Sequence, residues 1–377
     1  MAFKKLVIAS GQVSGASHSD FPILIQPSKM TGWEALTLAE AQSIRIYTDE
    51  AKTNEVAREV VSADEIHCKV PTLTSSTELY VDIDGIRSDL SPGATYGRNA
   101  VWNTKSRLSV WHDAGSTDST GNGHDGTANG GVTLGGATGK LGAATLYDGV
   151  NDYSNVGTLG SFGSSVGNAN GWSVSLWVKG DFEANVSLIG NVPDFGSNML
   201  WQLITQNLDI GYGVKNYVNI GTRANNGSGD YLTTHFLEVD STDLFDGNWH
   251  KLTLVAYPPG TSTTRTADDI DWFVDGVQQT TYIDITDTRT RKWGEPGEYS
   301  NFTRDTPIAA RQVRGSIDFH ANLTMEEMQI ALSNDFSDSY ITTEYNNQND
   351  VASFWGTVTD AGGDPPAVAD TGFFAFM

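Results

Sequence analysis

Two clusters of acidic, Asn and Gly residues, Asp118-Ser-Thr-Gly-Asn-Gly-His-Asp-Gly-Thr127 and Leu146-Tyr-Asp-Gly-Val-Asn-Asp-Tyr153, flank the tetrapeptide Gly139-Lys-Leu-Gly142. Gly and Asn tolerate positive φ, and Asp and Ser side chains hydrogen-bond their own backbone, so such clusters close tight turns between short strands. Further along, Trp172-Ser-Val-Ser-Leu-Trp-Val178 and His250-Lys-Leu-Thr-Leu-Val-Ala256 alternate with the period of half-buried strands. Asp271-Trp-Phe-Val-Asp-Gly276, followed by Thr280-Thr-Tyr-Ile283, predicts a hairpin around Asp275-Gly276. Short strands at this spacing predict an all-β chain built as a sandwich of two antiparallel sheets.

At 377 residues the chain predicts two or three domains, each able to bury a core. A net charge of −23 repels phosphate backbones and argues against nucleic acid, and equally against an anionic membrane surface. That acidity either keeps an exposed surface soluble or recruits divalent cations. Cys68 is the single cysteine. No intramolecular disulfide can form, so folding in a reducing compartment is expected even for a protein that works outside a cell. The apolar run Leu6–Ala9 after Lys4-Lys5 is shorter than the roughly 7–15 residues of a secretory core, so no signal peptide is expected. No window approaches the roughly 18 apolar residues of a span, so no membrane insertion is expected.

Residues 1–97 read as a small β domain for attachment or assembly. Its predicted strands include Phe3–Ala9, Phe21–Ile25, Ser43–Thr48 and Glu78–Ile83, with a helix over Glu34–Gln42 and a turn-rich hinge at Ser88–Thr95. Residues 98–355 read as the larger unit, the sandwich of antiparallel sheets. Residues 356–377 end in Gly372-Phe-Phe-Ala-Phe-Met377. A free apolar tail is a liability in water, so Phe373, Phe374, Phe376 and Met377 are expected to dock on the chain's own fold or on a neighbouring subunit.

The order of several blocks resembles a laminin-G-like, concanavalin-A-type jelly roll. They are Leu108-Ser-Val-Trp-His112, the Asp118 and Tyr147 clusters, Trp172–Val178, Asp246-Gly-Asn-Trp-His250, Trp272-Phe-Val-Asp-Gly276, Met325-Glu-Glu-Met-Gln-Ile330 and Ile341–Gln348. The family usually has Asp-Glu-Val-Arg-Ile where this chain has Glu-Glu-Met-Gln-Ile. Val13–Ile25, Ile44–Asp49, Val70-Pro71 and Thr77–Val81 are similar to a small β domain of uncharacterised function that precedes such jelly rolls in bacterial surface and bacteriophage virion proteins. The resemblance implies a non-catalytic virion protein that exposes a carbohydrate-binding-type sandwich to host surface glycans. Its partners would be other virion proteins, and it would be a homo-oligomer. A decoration protein without a glycan ligand and a glycan depolymerase are the alternatives.

Candidate site residues follow from residue chemistry. Asp118, Thr120 and Asn122 alternate as in a calcium loop, but Asn129 stands where an EF-hand needs its bidentate acid. A looser calcium site would use Asp118, Asn122, Asp125, Asp148 or Asp152. Glu326 or Glu327 could complete it, with only one facing inward on a regular strand. Aromatics that stack on sugars are expected from loops carrying Trp201, Tyr212, Tyr217, Trp293 or Tyr299. Trp293 follows the basic stretch holding Arg291 and Lys292, suited to an anionic sugar. Trp249-His250 and Trp111-His112 read as a packed Trp beside a strand His. Cys68 and His67 point to opposite faces and form no dyad. There is no Gly-x-Ser-x-Gly elbow, His-Glu-x-x-His, complete phosphate loop or Glu-x-Asp-x-x-Glu strand, so no catalysis is expected. Acids paired only by the fold stay open.

Overall fold

The computed structural model describes residues 2–159, 171–192, 200–211, 213–225, 230–257, 270–283, 305–313 and 316–362. The chain is all-β: a small N-terminal β-sandwich followed by a larger antiparallel jelly-roll sandwich. In the N-terminal unit, Ala2–Val7 pairs with Glu78–Ile83, which pairs in turn with Arg45–Tyr47. The facing sheet orders His18–Ile25, Glu65–Leu73 and Arg58–Ser62. The predicted helix is shorter than expected, spanning Leu38–Ser43. Thr37 sets its start through a capping box, accepting from Glu40 N while the Glu40 carboxylate accepts from Thr37 N at 2.8 Å.

The jelly roll stacks two sheets. One centres on Thr324–Ala331, Trp172–Asp181, Asp246–Ala256 and Ile270–Val274, with Arg107–Trp111 beside Thr324–Ala331. The other centres on Ser187–Val192, Leu200–Asp209, Val214–Asn225 and Asp230–Glu238. Period-two alternation fills the space between them with Trp111, Trp172, Leu176, Leu203, Val218, Leu237, Trp272 and Met328. Asp275 and Gly276 close their hairpin at φ +52° and +74°, the left-handed pair that a two-residue turn requires.

The outer face of the first sheet is not solvent-exposed. Trp177, Val255, Phe273 and Ala331 point away from the sandwich and share one apolar cluster with Leu6, Ile23, Ile66, Cys68 and Val81 of the N-terminal unit. Each large side chain buried this way contributes roughly 1.5–3 kcal/mol. The helix Asp338–Asn349 is wedged into the same junction. Asn347 there accepts from Leu24 N at 2.6 Å and donates to Leu24 O at 3.1 Å. Arg58 pins the expected hinge: its N donates to Tyr96 O and its guanidinium pairs with Asp89 at 2.6 Å. Downstream, Thr359–Asp360 adds to the edge of Ala2–Val7. Residues 363–377, with Phe373, Phe374, Phe376 and Met377, lie outside the described residues.

Candidate functional site at the domain junction

Strand alternation puts Ile66 and Cys68 into the shared apolar cluster and Glu65 and His67 on the opposite face. Glu59 lies directly across from His67 on the neighbouring strand. The jelly roll supplies His112, just past Arg107–Trp111, and Glu327. Sequence reasoning allowed only one of Glu326 and Glu327 to face inward, but both are buried, at 0% and 1% exposure. A register shift against Trp172–Asp181, with Glu327 at φ +48°, turns the pair toward the N-terminal unit while Met325 and Met328 stay in the sandwich core.

These residues make a buried polar cluster. His112 Nδ1 lies 2.6 Å from Glu327 Oε2 and 3.5 Å from Glu65 Oε1, and its Nε2 lies 3.0 Å from Glu59 Oε2. His67 Nε2 stands 3.3 Å from Glu65 Oε1, and the two imidazoles stack with centroids 4.6 Å apart. Glu59 also accepts from Trp102 Nε1 at 2.6 Å and Ser119 Oγ at 2.7 Å, while Glu327 Oε1 accepts from Gln329 at 2.9 Å. Burial alone would lower the His112 pKa, but the pull of Glu327 and Glu59 outweighs it and raises the value well above the ordinary range. Burial would likewise raise Glu327, yet His112 brings it down to about 2; Glu59 is lowered for the same reason. The tetrapeptide flagged in the sequence encloses this cluster. Glu326 Oε1 accepts from Lys140 N at 2.6 Å and Leu141 N at 3.0 Å. A Cβ on Gly139 would stand 1.8 Å from Glu326 Oε2, and one on Gly142 1.9 Å from Glu65 Oε2, so a side chain at either position would push a buried carboxylate aside. Desolvation pushes the Glu326 carboxyl up to about 8.

A cleft of about 510 Å³ opens over the cluster. Arg58, Glu59, Glu65, Asp89, Arg98 and Asp113 line it with His112, Ser116 and Ser119. Arg58 is held rigidly, donating to Ile44 O at 2.7 Å and Gln42 O at 2.8 Å. Arg98 Nε has no hydrogen-bond partner among the described residues.

The sequence-nominated residues are placed elsewhere. Asp118 accepts from Val110 N, Thr120 N and His124 N, and Asp125 accepts from Asp118 N at 2.7 Å. Asn122 donates to Leu108 O at 2.9 Å. Asp148 caps Val150, Asn151 and Asp152 in a separate turn, and Asp152 O faces His320 Nδ1. The side chains of Asp118, Asn122, Asp125 and Asp148 hold turns. Among the described residues, the His/Cys/Asp/Glu group whose ligand atoms all lie within 4.8 Å of one another is Glu65, His67, His112 and Glu327. Trp201 and Tyr217, expected in loops, lie in strands, and Tyr217 is fully buried beside Phe236. Trp249 packs against the junction cluster rather than in the sandwich core. Tyr212, Arg291, Lys292, Trp293 and Tyr299 lie outside the described residues.

No family model and no curated protein matches the chain. Solved structures align with the chain at low identity. Domain 4 of AbnA, a GH43 extracellular arabinanase from Geobacillus stearothermophilus solved in complex with arabinotriose, aligns at TM-score 0.37 and 16% identity, over 63% of this chain and 96% of that one. The botulinum neurotoxin serotype C1 binding domain aligns at TM-score 0.41 and 12% identity, over 64% of this chain and 52% of its own.

Proposed function

We propose that the chain is a non-catalytic binding protein of the carbohydrate-binding β-sandwich type, displayed on a bacteriophage particle, which takes a host glycan in the cleft between its two domains. The cleft carries this reading. Its polar lining is fixed before any ligand arrives, since Arg58 and Glu59 are each held by several hydrogen bonds. Preorganised hydrogen-bonding groups of this kind suit sugar hydroxyls. Arg98, which lines the cleft, suits an acidic or hydroxyl-rich ring substituent.

Binding is favoured over cleavage because glycoside hydrolysis needs one carboxyl kept protonated beside one ionised. Glu59 is held ionised by His112, whereas the acid kept protonated by burial, Glu326, faces the Gly139–Gly142 turn and does not line the cleft. The lone, buried Cys68 fits a particle component folded in bacterial cytosol.

Glycan-array binding of the whole protein, with and without chelator, tests the proposal, with Arg98→Ala as the cleft variant. Binding that Arg98→Ala weakens at least tenfold is expected. Absence of binding to any glycan or host surface would leave a decoration role in its place. Release of reducing ends from host polysaccharide would establish a depolymerase instead.

A further inference from the structure

We infer that Glu65, His67, His112 and Glu327 form a binding site for a divalent transition metal ion of the zinc type, which clasps the N-terminal domain to the jelly roll. The donors fit in number and kind. Two imidazoles and two carboxylates make the N₂O₂ set that suits zinc rather than calcium, which takes six to eight oxygens. The spacing fits as well. With metal–donor bonds of ~2.0–2.1 Å, neighbouring donors of a tetrahedral site stand about 3.3–3.4 Å apart. Glu65 Oε1 stands 3.3 Å from His67 Nε2 and 3.5 Å from His112 Nδ1. The 2.6 Å contact between His112 Nδ1 and Glu327 Oε2 is a direct hydrogen bond, which the ion replaces as the two atoms part by about 0.7 Å.

The outer shell is that of a metal site. His112 presents its other nitrogen, Nε2, to Glu59, and Glu59 is anchored by Trp102 and Ser119. The second oxygen of Glu327 is held by Gln329. A carboxylate behind a ligating imidazole, and a hydrogen bond behind a ligating carboxylate, orient donors toward an ion. Charge points the same way. Glu59, Glu65 and Glu327 are all nearly fully buried. A divalent ion offsets much of the charge these buried carboxylates carry, at a junction where the two imidazoles stack 4.6 Å apart. The overlying cleft, which Glu65 and His112 line, gives the ion a route in.

The test uses the full chain, stripped with chelator, recharged with Zn²⁺ and gel-filtered before elemental analysis. The expected result is one zinc per chain in the wild type and none in His67→Gln, with Glu59→Gln folded and binding zinc ~10–100-fold more weakly. Substitution of the wild type with Co²⁺ reads the ligands without mutation, and two hyperfine-shifted imidazole N–H signals are expected. Substoichiometric zinc in the wild type, equal retention by His67→Gln, or a cobalt form without shifted imidazole signals would overturn the assignment and leave an ion-paired His112 alone. The outcome is independent of whether any glycan binds.

Discussion

Lys251 sits in the strand Asp246–Ala256 at 1% exposure, and its ammonium donates to Glu344 Oε2 and Gln348 Oε1, each at 2.7 Å. Lys251→Met keeps most of the aliphatic stem but strands Glu344, whose remaining cation is Arg107 at 3.8 Å. Removing one partner of a buried ion pair costs about 3–5 kcal/mol, and the partial compensation by Arg107 places the expected loss near 3 kcal/mol. Adding Glu344→Gln removes the stranded charge, and a neutral pair of similar volume is often no less stable than the ion pair. The double variant is therefore expected within about 1 kcal/mol of the wild type. That implies a coupling energy of at least ~2 kcal/mol, well beyond the ~0.3–0.5 kcal/mol scatter of independent sites. Urea unfolding followed by Trp fluorescence and far-UV circular dichroism reads both quantities. Additive losses, or a Lys251→Met cost below about 1 kcal/mol, would refute the view that this charge is locked between the jelly roll and its covering helix.

Trp177→Ala empties a fully buried site at the junction and removes the indole bond to Gln348, so a loss of ~3–5 kcal/mol within one cooperative transition is expected. Two separate transitions in the wild type would contradict the shared core. His250 is 2.7 Å from Asp275 and 3.0 Å from Asp246, and these acids raise its pKa despite burial. The stabilisation is fully present below the unfolded value near 6.5 and is lost as pH rises through the folded value. His250→Asn should flatten that part of the stability–pH profile, and an unchanged slope would count against the assignment. Gly126→Ala would place a Cβ 1.7 Å from Gly115 O, a backbone atom that cannot move away cheaply. It should cost at least the ~1–3 kcal/mol of an overpacked site, and a lowered thermal midpoint checks it.

The strands at Trp172 and His250 were legible because alternation is a local signal, as was the turn at Asp275-Gly276. The helix Asp338–Asn349 carried no such signal. Its Thr- and Asn-rich sequence has poor intrinsic propensity, and packing against both domains overrides that. The junction cluster was illegible for another reason. His112 meets partners 53 and 215 residues away, and one of them, Glu327, faces it only because a bulge breaks the strand alternation. One trace did exist in the sequence. Glu65 and His67 fall on the same face of a strand whose other face, with Ile66 and Cys68, is apolar. Two polar residues in register on an otherwise apolar strand are buried only when something across the fold pairs with them. The Asp118 cluster reads two ways from sequence alone, since Asp and Asn in a turn satisfy their own backbone, as they do here, as readily as they bind an ion.

Hydrogen–deuterium exchange on the whole protein, with and without the strongest-binding glycan, tests the placement of the ligand most directly. Protection is expected across residues 89–98 and 112–119, the segments that carry Asp89, Arg98, His112, Asp113 and Ser119 around the cleft. Protection confined instead to the outer face of the second jelly-roll sheet, around Gln202 and Arg311, would contradict it.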